Sequence, residues 1–220
     1  YFVRHPLYIT TTDNRVVEIQ AEIATRARNN EVPMRTVVRD ADGVVVHEST
    51  KMIAINRKYR TIEIEVDSFA VDKPRLWSCE TPHLYTASVS ILDAQGVVMD
   101  SVSHTFGIRT VEFSPEFGMK LNGEKVLLKG IANHHTLGAL GAAAYPRAIE
   151  KRILLLKEYG FNHIRTSHNP YSKSFMELCD KHGILVVDEL YDKWLTQFCG
   201  GRAEWLSLWP YDLPEWIKRD

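Results

Sequence analysis

Residues 160–170 read GFNHIRTSHNP, and this stretch decides how the second half of the chain folds. A helical pattern of apolar residues from Ile149 to Leu156 precedes it and stops at Gly160, where a left-handed C-cap belongs. Residues 162–167 then form a short strand-like run that ends in polar residues. A helix followed at once by such a strand is typical of a crossover between parallel strands.

The same alternation extends on both sides of this stretch. The predicted elements are a strand at 126–131, a helix from Pro146, a strand at 162–167, a helix, a strand at 184–188 and a helix from about residue 212. Pro146 fits a first helical turn, and Ser174 with Glu177 forms a capping box that predicts the start of the second helix. This order predicts the start of a (β/α)₈ barrel or a small open α/β sheet.

The first half of the chain has the period of β-strands instead. Val17, Ile19, Ala21 and Ile23 alternate with polar residues, and Ile62, Ile64 and Val66 alternate with Glu63, Glu65 and Asp67. Both patterns predict strands whose apolar residues face a core. About seven short strands with intervening turns predict an immunoglobulin-like β-sandwich. We therefore predict two domains, the sandwich at 1–110 and a partial barrel at 111–220.

Composition narrows the classes of partner. Lys and Arg total 27 and Asp and Glu total 28, which gives a net charge of −1. Such a chain lacks the basic surface that binds a phosphate backbone, so nucleic acid is not expected as a partner. No window approaches the roughly 20 apolar residues that span a bilayer, so a membrane is not expected either. Cys79, Cys179 and Cys199 are too scattered for a disulfide framework and are interpreted as ordinary thiols.

Polar, ionisable residues follow all three predicted barrel strands, where barrels gather their functional groups. Further motifs lie along the chain, namely LWS at 76–78, FGIRT at 106–110, LNGEK at 121–125, GFNHIRTSHNP at 160–170 and CDKHGILVVDE at 179–189. In their order and spacing these motifs resemble glycoside hydrolase family 2, the β-galactosidase and β-glucuronidase family. The resemblance covers residues 60–220.

The resemblance implies part of a retaining hydrolase of terminal β-glycosidic bonds, with β-galactosides as the favoured substrate. Such an enzyme needs two carboxylates, one to protonate the leaving oxygen and one to attack. The family carries these glutamates on its fourth and seventh barrel strands, so both are expected beyond residue 220. The 220 residues alone are then expected to be inactive. A non-catalytic sandwich module that binds carbohydrate or a protein is the alternative.

Three histidines are candidates for contact with substrate. His134 and His168 match histidines of the family that contact the sugar, and His135 is a further candidate. An imidazole can bond sugar hydroxyls without a fixed charge. The alternative is that they are loop histidines bonded to backbone. Just before His134, the chain has Ala132 and Asn133, which differ from the residues that the family has there. The preferred substrate of this chain can therefore differ from that of similar family members.

Arg165 matches an arginine of the family that positions the nucleophile, and the alternative is a structural ion pair with Asp188 or Glu189. Adjacent strand residues point to opposite faces, so Asp188 and Glu189 are not expected to act as a catalytic pair. We expect one to support the site and the other to bind the barrel wall. Trp194 is a candidate for stacking on a sugar, or for pinning its loop.

No cofactor and no metal are predicted, because the histidines form no zinc-binding pattern. The expected partner is an oligosaccharide or glycoside substrate. A homo-oligomer is a further candidate, because an open piece of barrel exposes strand edges. The role of the family favours a periplasmic or secreted location, with no signal peptide visible after Tyr1. A first residue other than Met, and no helix stop before Asp220, lead us to expect a longer polypeptide.

Overall fold

The computed structural model describes residues 2–4, 6–24, 31–54 and 62–189. It divides the chain into two compact units, Tyr1–Val126 and Leu127–Asp220. This division falls later than the predicted one at residue 110, because residues 111–126 form a small meander that groups with the first unit. The helix predicted from about residue 212 lies outside the described residues. Within them, no helix is both long and apolar enough to cross a membrane.

The first unit contains two antiparallel sheets packed on a common core. Its strands are β1 Phe2–Val3, β2 Tyr8–Thr12, β3 Val16–Ala24, β4 Glu31–Arg39, β5 Val45–Ala54, β6 Ile62–Ala70, β7 Tyr85–Leu92 and β8 Val98–Phe106. In one sheet β3 pairs with β1, β2 and β6, and the other sheet has the order β5-β4-β7-β8. Buried residues of both sheets, such as Ile19 and Val89, form one core. The predicted β-sandwich is thereby confirmed.

The two alternating patterns of the sandwich differ in which face is buried: the apolar face in β3, and the opposite face in β6. Val17 and Ile19 of β3 are buried as predicted. In β6 the predicted face is wrong, because Ile64 and Val66 are 58% and 41% exposed whereas Asp67 is only 4% exposed. Ile19 pairs with Asp67 across the two strands, so the register places this carboxylate on the inner face. A shift of one residue exchanges the two faces of a strand, and period alone does not choose between them.

Asp67 is stable inside the sandwich because strand β5 supplies its partners. His47 Nε2 lies 2.9 Å from one carboxylate oxygen, and Lys51 Nζ lies 2.8 Å from the other. The Ser49 hydroxyl donates a further hydrogen bond. Burial by itself raises the pKa of Asp67, but the hydrogen bonds from Lys51, Ser49 and His47 outweigh it and lower the pKa from 3.8 to about 2. The ionised carboxylate therefore joins β5 to β6.

The low pKa of Asp67 predicts how the stability of the sandwich depends on pH. A carboxyl whose pKa is lowered by folding stabilises the protein above the unfolded pKa, and this contribution disappears as pH falls through the folded pKa. Between about pH 4 and pH 2 the chain should lose roughly 2 kcal/mol of unfolding free energy through this group. Asp67→Asn should be less stable at pH 7 and lose less stability over that range. Denaturant titrations followed by circular dichroism measure both, with Asp72→Asn at an exposed position as the control.

The segment that leaves the sandwich is organised around Trp77, which is 1% exposed. The Trp77 N–H donates to the Ile108 carbonyl at 2.9 Å, and the Trp77 carbonyl accepts from the Asn122 side chain at 3.0 Å. Asn122 also accepts from the Thr110 N–H at 3.0 Å. A Cβ at Gly107 would lie 2.7 Å from Trp77 Cβ, so glycine is required there. The motifs at 76–78, 106–110 and 121–125 thus meet at one tryptophan.

The meander that follows has three short antiparallel strands. These are β9 Val111–Ser114, β10 Gly118–Leu121 and β11 Glu124–Val126. The last two strands join through Asn122 and Gly123, both with positive φ, at 54° and 83°. Two such residues are typical of a tight hairpin turn.

The second unit is a parallel sheet with helical crossovers. Its described elements are β12 Gly130–Asn133, α1 Pro146–Glu158, β13 His163–Thr166, α2 Lys173–His182 and β14 Leu185–Val187, and the sheet has the order β12-β13-β14. Ile149, Ile153, Phe175 and Cys179 of the helices pack with Ile164 and Ile184 in one core. The predicted order of strands and helices is confirmed over these residues.

Two predicted element boundaries in this unit are wrong. The first strand lies at Gly130–Asn133 and not at 126–131, because its pairing with β13 begins at Gly130. The backbone before the strand is instead held by the side chain of Asn162. Helix α2 is capped by Ser172, whose hydroxyl accepts from the Phe175 N–H, and not by Ser174. Ser172 has the extended backbone of an N-cap, whereas Ser174 already lies within the helix.

Candidate active site

The parallel register brings the predicted site residues to one edge of the sheet. Asn133 pairs with Thr166, and Arg165 pairs with Val187, so the three strands end at nearly the same height. His134, Ser167-His168 and Asp188-Glu189 follow directly after those ends. In a (β/α)₈ barrel this is the edge that carries function.

Two of the candidate histidines lie together. The rings of His134 and His168 have centroids 5.3 Å apart and meet edge to face at 78°. Both residues are exposed. His135 turns to a different neighbour, Tyr171, with centroids 5.8 Å apart and planes at 89°. The structure therefore assigns His134 and His168 to one cluster and His135 to another.

Glu189 connects Arg165 with His168. One carboxylate oxygen of Glu189 accepts from Arg165 Nε, and the other lies 3.2 Å from His168 Nδ1. The side chain of Glu189 is 21% exposed, whereas that of Arg165 is 49% exposed. The ion pair that the sequence offered as an alternative for Arg165 is thus present, and it lies beside the histidine cluster. The Glu189 carboxylate therefore joins Arg165 and His168 in one hydrogen-bonded cluster.

Asp188 has different partners from Glu189. Its Oδ1 accepts a hydrogen bond from the Thr166 hydroxyl, and Thr166 is fully buried in β13. The Glu189 N–H donates back to the same hydroxyl at 2.9 Å. The two neighbouring carboxylates therefore make different contacts. Asp188 joins the end of β14 to β13, and Glu189 faces the side chains of Arg165 and His168.

An arginine that the sequence did not single out organises the loop that carries His134. Arg152 of α1 donates to Asn133 Oδ1 and to the His134 carbonyl, both at 2.9 Å, and also to the Thr136 carbonyl. A planar guanidinium presents several donors in a fixed fork, which suits it to holding several acceptors of one loop. Arg152 thus bonds the side chain before His134 and the backbone carbonyls of His134 and Thr136.

A second group reaches the same loop from the next crossover. The Tyr171 hydroxyl donates to the Asn133 carbonyl. Burial raises the pKa of Tyr171 to about 12, so the phenol keeps its proton. The end of β12 is therefore held from α1 and from the loop before α2.

The spacing of apolar residues in helix α1 indicates that Arg152 makes a contact within the fold. Arg152 follows Ile149 by three residues and precedes Ile153, so it lies on the face that packs against the sheet. A long cation on a buried face needs acceptors within reach. Such a position predicts a structural or functional contact, although the pattern alone does not identify its partner.

The remaining candidates lie elsewhere or outside the described residues. A Cβ at Gly130 would be 2.1 Å from His163 Nδ1, which places His163 at the start of the strands, opposite to the histidine cluster. Burial lowers the pKa of His163. In the ranges that the structure describes, no three His, Cys, Asp or Glu side chains lie close enough to hold a metal ion. Trp194 lies outside the described residues.

Two family models match the chain. Glycosyl hydrolases family 2 matches residues 2–109, and the TIM barrel domain of glycosyl hydrolases family 2 matches residues 116–204. The chain therefore belongs to glycosyl hydrolase family 2. The resemblance and the fold class predicted from the sequence, a β-sandwich followed by the first part of a TIM barrel, are both confirmed.

Relatives of known name or structure agree with this family. The β-galactosidase BoGH2A of Bacteroides ovatus is 32% identical over 97% of this chain and 26% of its own length. A family 2 member from Bacteroides cellulosilyticus matches the whole chain at 31% identity with a TM-score of 0.85, over 30% of its own chain. Bacteroides uniformis β-glucuronidase 2, covalently bound to cyclophellitol-6-carboxylate aziridine, matches 84% of this chain and 23% of its own at 28% identity, with a TM-score of 0.77.

The match is confined to one part of these longer proteins. The chain spans 19% and 26% of the lengths of the first two curated relatives that it matches. Two solved family members have 30% and 23% of their chains covered.

The contacts of Arg152 predict the effect of removing it. Arg152→Ala leaves the Asn133 and His134 acceptors without their donor, which should lower the free energy of unfolding of the second unit by about 1–3 kcal/mol. The histidine cluster should also loosen, so the nuclear Overhauser effect between the His134 and His168 rings should weaken. Arg152→Lys should restore part of both, because an ammonium can bond one carbonyl but not three acceptors at fixed angles.

The matched control for this variant is Arg147→Ala, which removes an exposed cation from the first turn of the same helix. It should change neither the stability nor the histidine contact by a comparable amount. An unchanged His134–His168 contact in Arg152→Ala would show that the loop holds its shape without the arginine.

Proposed function

We propose that this chain is the sandwich and the first part of the catalytic barrel of a retaining hydrolase of terminal β-glycosidic bonds, with β-galactosides as its substrates. The observation that carries the proposal is the cluster at the strand ends, in which His134 touches His168 and Glu189 joins His168 to Arg165. It lies within the residues that match the TIM barrel model of the family.

The chemistry of this cluster suits a sugar. Sugar hydroxyls donate and accept hydrogen bonds, and a neutral imidazole has one donor and one acceptor nitrogen. Glu189 beside His168 Nδ1 favours a proton on that nitrogen, which sets the tautomer of the ring. In this proposal His134 and His168 contact the hydroxyls of the terminal sugar, and Arg165 with Glu189 supports them from the barrel interior.

The same contacts argue that the chain has no hydrolytic activity of its own. A retaining enzyme needs one carboxyl group to protonate the leaving oxygen and a second carboxylate to attack the anomeric carbon. Asp188 is bonded to Thr166, and Glu189 is bonded to Arg165 and His168, so the two neighbouring carboxylates have separate partners and do not form such a pair. In this proposal the acid/base and the nucleophile are glutamates from sequence beyond residue 220.

The substrate class rests on the relatives. BoGH2A, named a β-galactosidase, matches 97% of the chain, which supports a β-galactoside. The β-glucuronidase 2 of Bacteroides uniformis is covalently bound to its aziridine ligand, which supports a covalent, retaining mechanism here. Assembly into a homo-oligomer and a periplasmic or secreted location stay predictions.

The sugar site is tested by nuclear magnetic resonance on the 220-residue chain. Methyl β-D-galactopyranoside should shift the side-chain resonances of His134 and His168, and His168→Ala should weaken its binding about tenfold or more through the lost hydrogen bond. His83→Ala in the sandwich unit is the control and should leave binding unchanged. Shifts confined to sandwich residues would instead favour a carbohydrate-binding module.

Catalysis is tested in two proteins. The 220-residue chain should release no nitrophenol from nitrophenyl β-D-galactoside. A chimera in which this chain replaces the matching part of BoGH2A should release nitrophenol. His168→Ala in the chimera should reduce kcat/KM at least about tenfold. Turnover by the chain alone that is abolished at Asp188 or Glu189 would contradict the assignment of both catalytic groups to other sequence.

A further inference from the structure

Two neighbouring residues of β13 bond two neighbouring residues that follow β14. Arg165 donates to the Glu189 carboxylate, and the Thr166 hydroxyl donates to Asp188 Oδ1. Adjacent residues of a strand point to opposite faces, so the two contacts lie on opposite sides of the sheet. Thr166 is fully buried on the side where Ile164 packs with the helices, whereas the Arg165 side chain is 49% exposed. The chain after β14 is therefore held from both sides of the sheet.

The Thr166 hydroxyl also holds the backbone of Glu189. It accepts from the Glu189 N–H at 2.9 Å, while its own proton goes to Asp188. A hydroxyl has one proton and two lone pairs, so it can donate to the carboxylate and accept from the amide at the same time. These two hydrogen bonds fix the backbone position from which the Glu189 side chain starts.

The ion pair of Glu189 with Arg165 is too exposed to place Glu189 by itself. The two side chains are 21% and 49% exposed. Such pairs contribute little, because water screens their charges and ordering two long side chains costs entropy. A hydrogen bond from a hydroxyl to a carboxylate is stronger than one between neutral groups, and burial of Thr166 keeps water from competing for it. The position of Glu189 therefore depends more on Thr166 than on Arg165.

The location of the proton on the His168 ring depends on the same glutamate. Glu189 Oε2 lies 3.2 Å from His168 Nδ1, and only a protonated nitrogen can donate to it. A displaced Glu189 removes this acceptor, which favours the tautomer with the proton on Nε2. In a neutral ring Nε2 then changes from an acceptor to a donor, so the ring presents a different group to a sugar hydroxyl.

We infer that Thr166 is a positioning residue of the sugar site. Its hydroxyl holds the Glu189 backbone from the helix-facing side of the sheet, and Glu189 sets the tautomer of His168 on the other side. Thr166 itself touches no sugar. The link from His168 to sugar binding rests on the proposed function, whereas the link from Thr166 to the His168 tautomer does not.

The variant Thr166→Val tests this inference in the 220-residue chain, because valine has the branched shape of threonine without the hydroxyl. Long-range proton–nitrogen correlation spectra, recorded at alkaline pH where imidazoles are neutral, distinguish the two tautomers of a histidine. His168 should carry its proton on Nδ1 in the unmodified chain and mainly on Nε2 in Thr166→Val. The affinity of this variant for methyl β-D-galactopyranoside should fall about tenfold.

A second variant separates the hydroxyl from the rest of the side chain. Thr166→Ser keeps the hydroxyl and loses a buried methyl group, so it should lower stability but retain the tautomer of His168 and the affinity for the galactoside. A residue with a merely structural role would show the reverse, because valine preserves the packing better than serine.

The matched control is Thr36→Val in the sandwich unit. Thr36 is as fully buried as Thr166, but its hydroxyl has no hydrogen-bond partner in the ranges that the structure describes. It lies in β4, far along the chain from the histidine cluster. This variant should change neither the tautomer of His168 nor the affinity for the galactoside.

The results separate this inference from the proposed function. Retention of the Nδ1 proton in Thr166→Val overturns the inference, because Glu189 is then placed without the hydroxyl. Loss of that proton in Thr166→Ser also overturns it, since the methyl group is then responsible, as does its absence from the unmodified chain. The expected tautomers without any binding of the galactoside contradict the proposed function and leave the role of Thr166 intact.

A measurement on the unmodified chain decides if Thr166→Val fails to fold. The Glu189 amide should be protected from deuterium exchange, because it donates to the buried hydroxyl of Thr166. Exchange at the rate of an exposed amide would overturn the inference.

Discussion

The parallel register of three short strands is the constraint on which the candidate site depends, and one asparagine fixes it. The Asn162 N–H donates to the Lys129 carbonyl before β12, and the Asn162 carbonyl accepts from the Leu185 N–H in β14, at 2.9 Å each. Its side chain also accepts from the Lys129 N–H at 2.8 Å and donates to the Leu127 carbonyl at 3.0 Å. Because all three strands are set at their first residues, their ends are set as well, and the polar residues that follow come together.

The groups at those ends support one another by direct contact. Thr166 accepts from the backbone of Glu189 and donates to Asp188, which holds the chain after β14 against β13. Glu189 can then reach His168 and Arg165. Arg152 and Tyr171 hold the end of β12 in the same way from the helical side. His134, His168 and Arg165 are thus each joined by a hydrogen bond to a residue of, or directly after, another strand or helix.

The sequence predicted most of what depends on local pattern. The order of strands and helices, the left-handed Gly160 after α1 and the buried residues of β3 all follow from period and from the conformational needs of single residues. The face of β6 did not follow, because the partners of Asp67 lie on β5 and only the folded register shows them. Arg152 escaped prediction for the same reason: its acceptors are mostly backbone carbonyls, which leave no mark in the sequence.

The motifs that carried the family resemblance have a physical basis in the structure. The stretches at 76–78, 106–110 and 121–125 are far apart in sequence but share hydrogen bonds around Trp77. The stretch at 160–170 contains both the residue that sets the strand register and the histidine and arginine of the site. Residues that depend on each other in this way cannot change singly, and a pattern that spans several of them therefore identifies the family better than any one motif.

The carboxylate between β5 and β6 has a consequence for association with other molecules. In the described part of the sandwich, β5 and β6 are the last strands of their sheets on one side. Exposed strand edges invite pairing with a strand from another chain, and inward-pointing charges are one natural protection against it. Asp67, with its contacts to His47 and Lys51, is an inward-pointing charge of this kind between the two edge strands. It opposes the tendency of the exposed Ile64 and Val66 of β6 to attract a further strand.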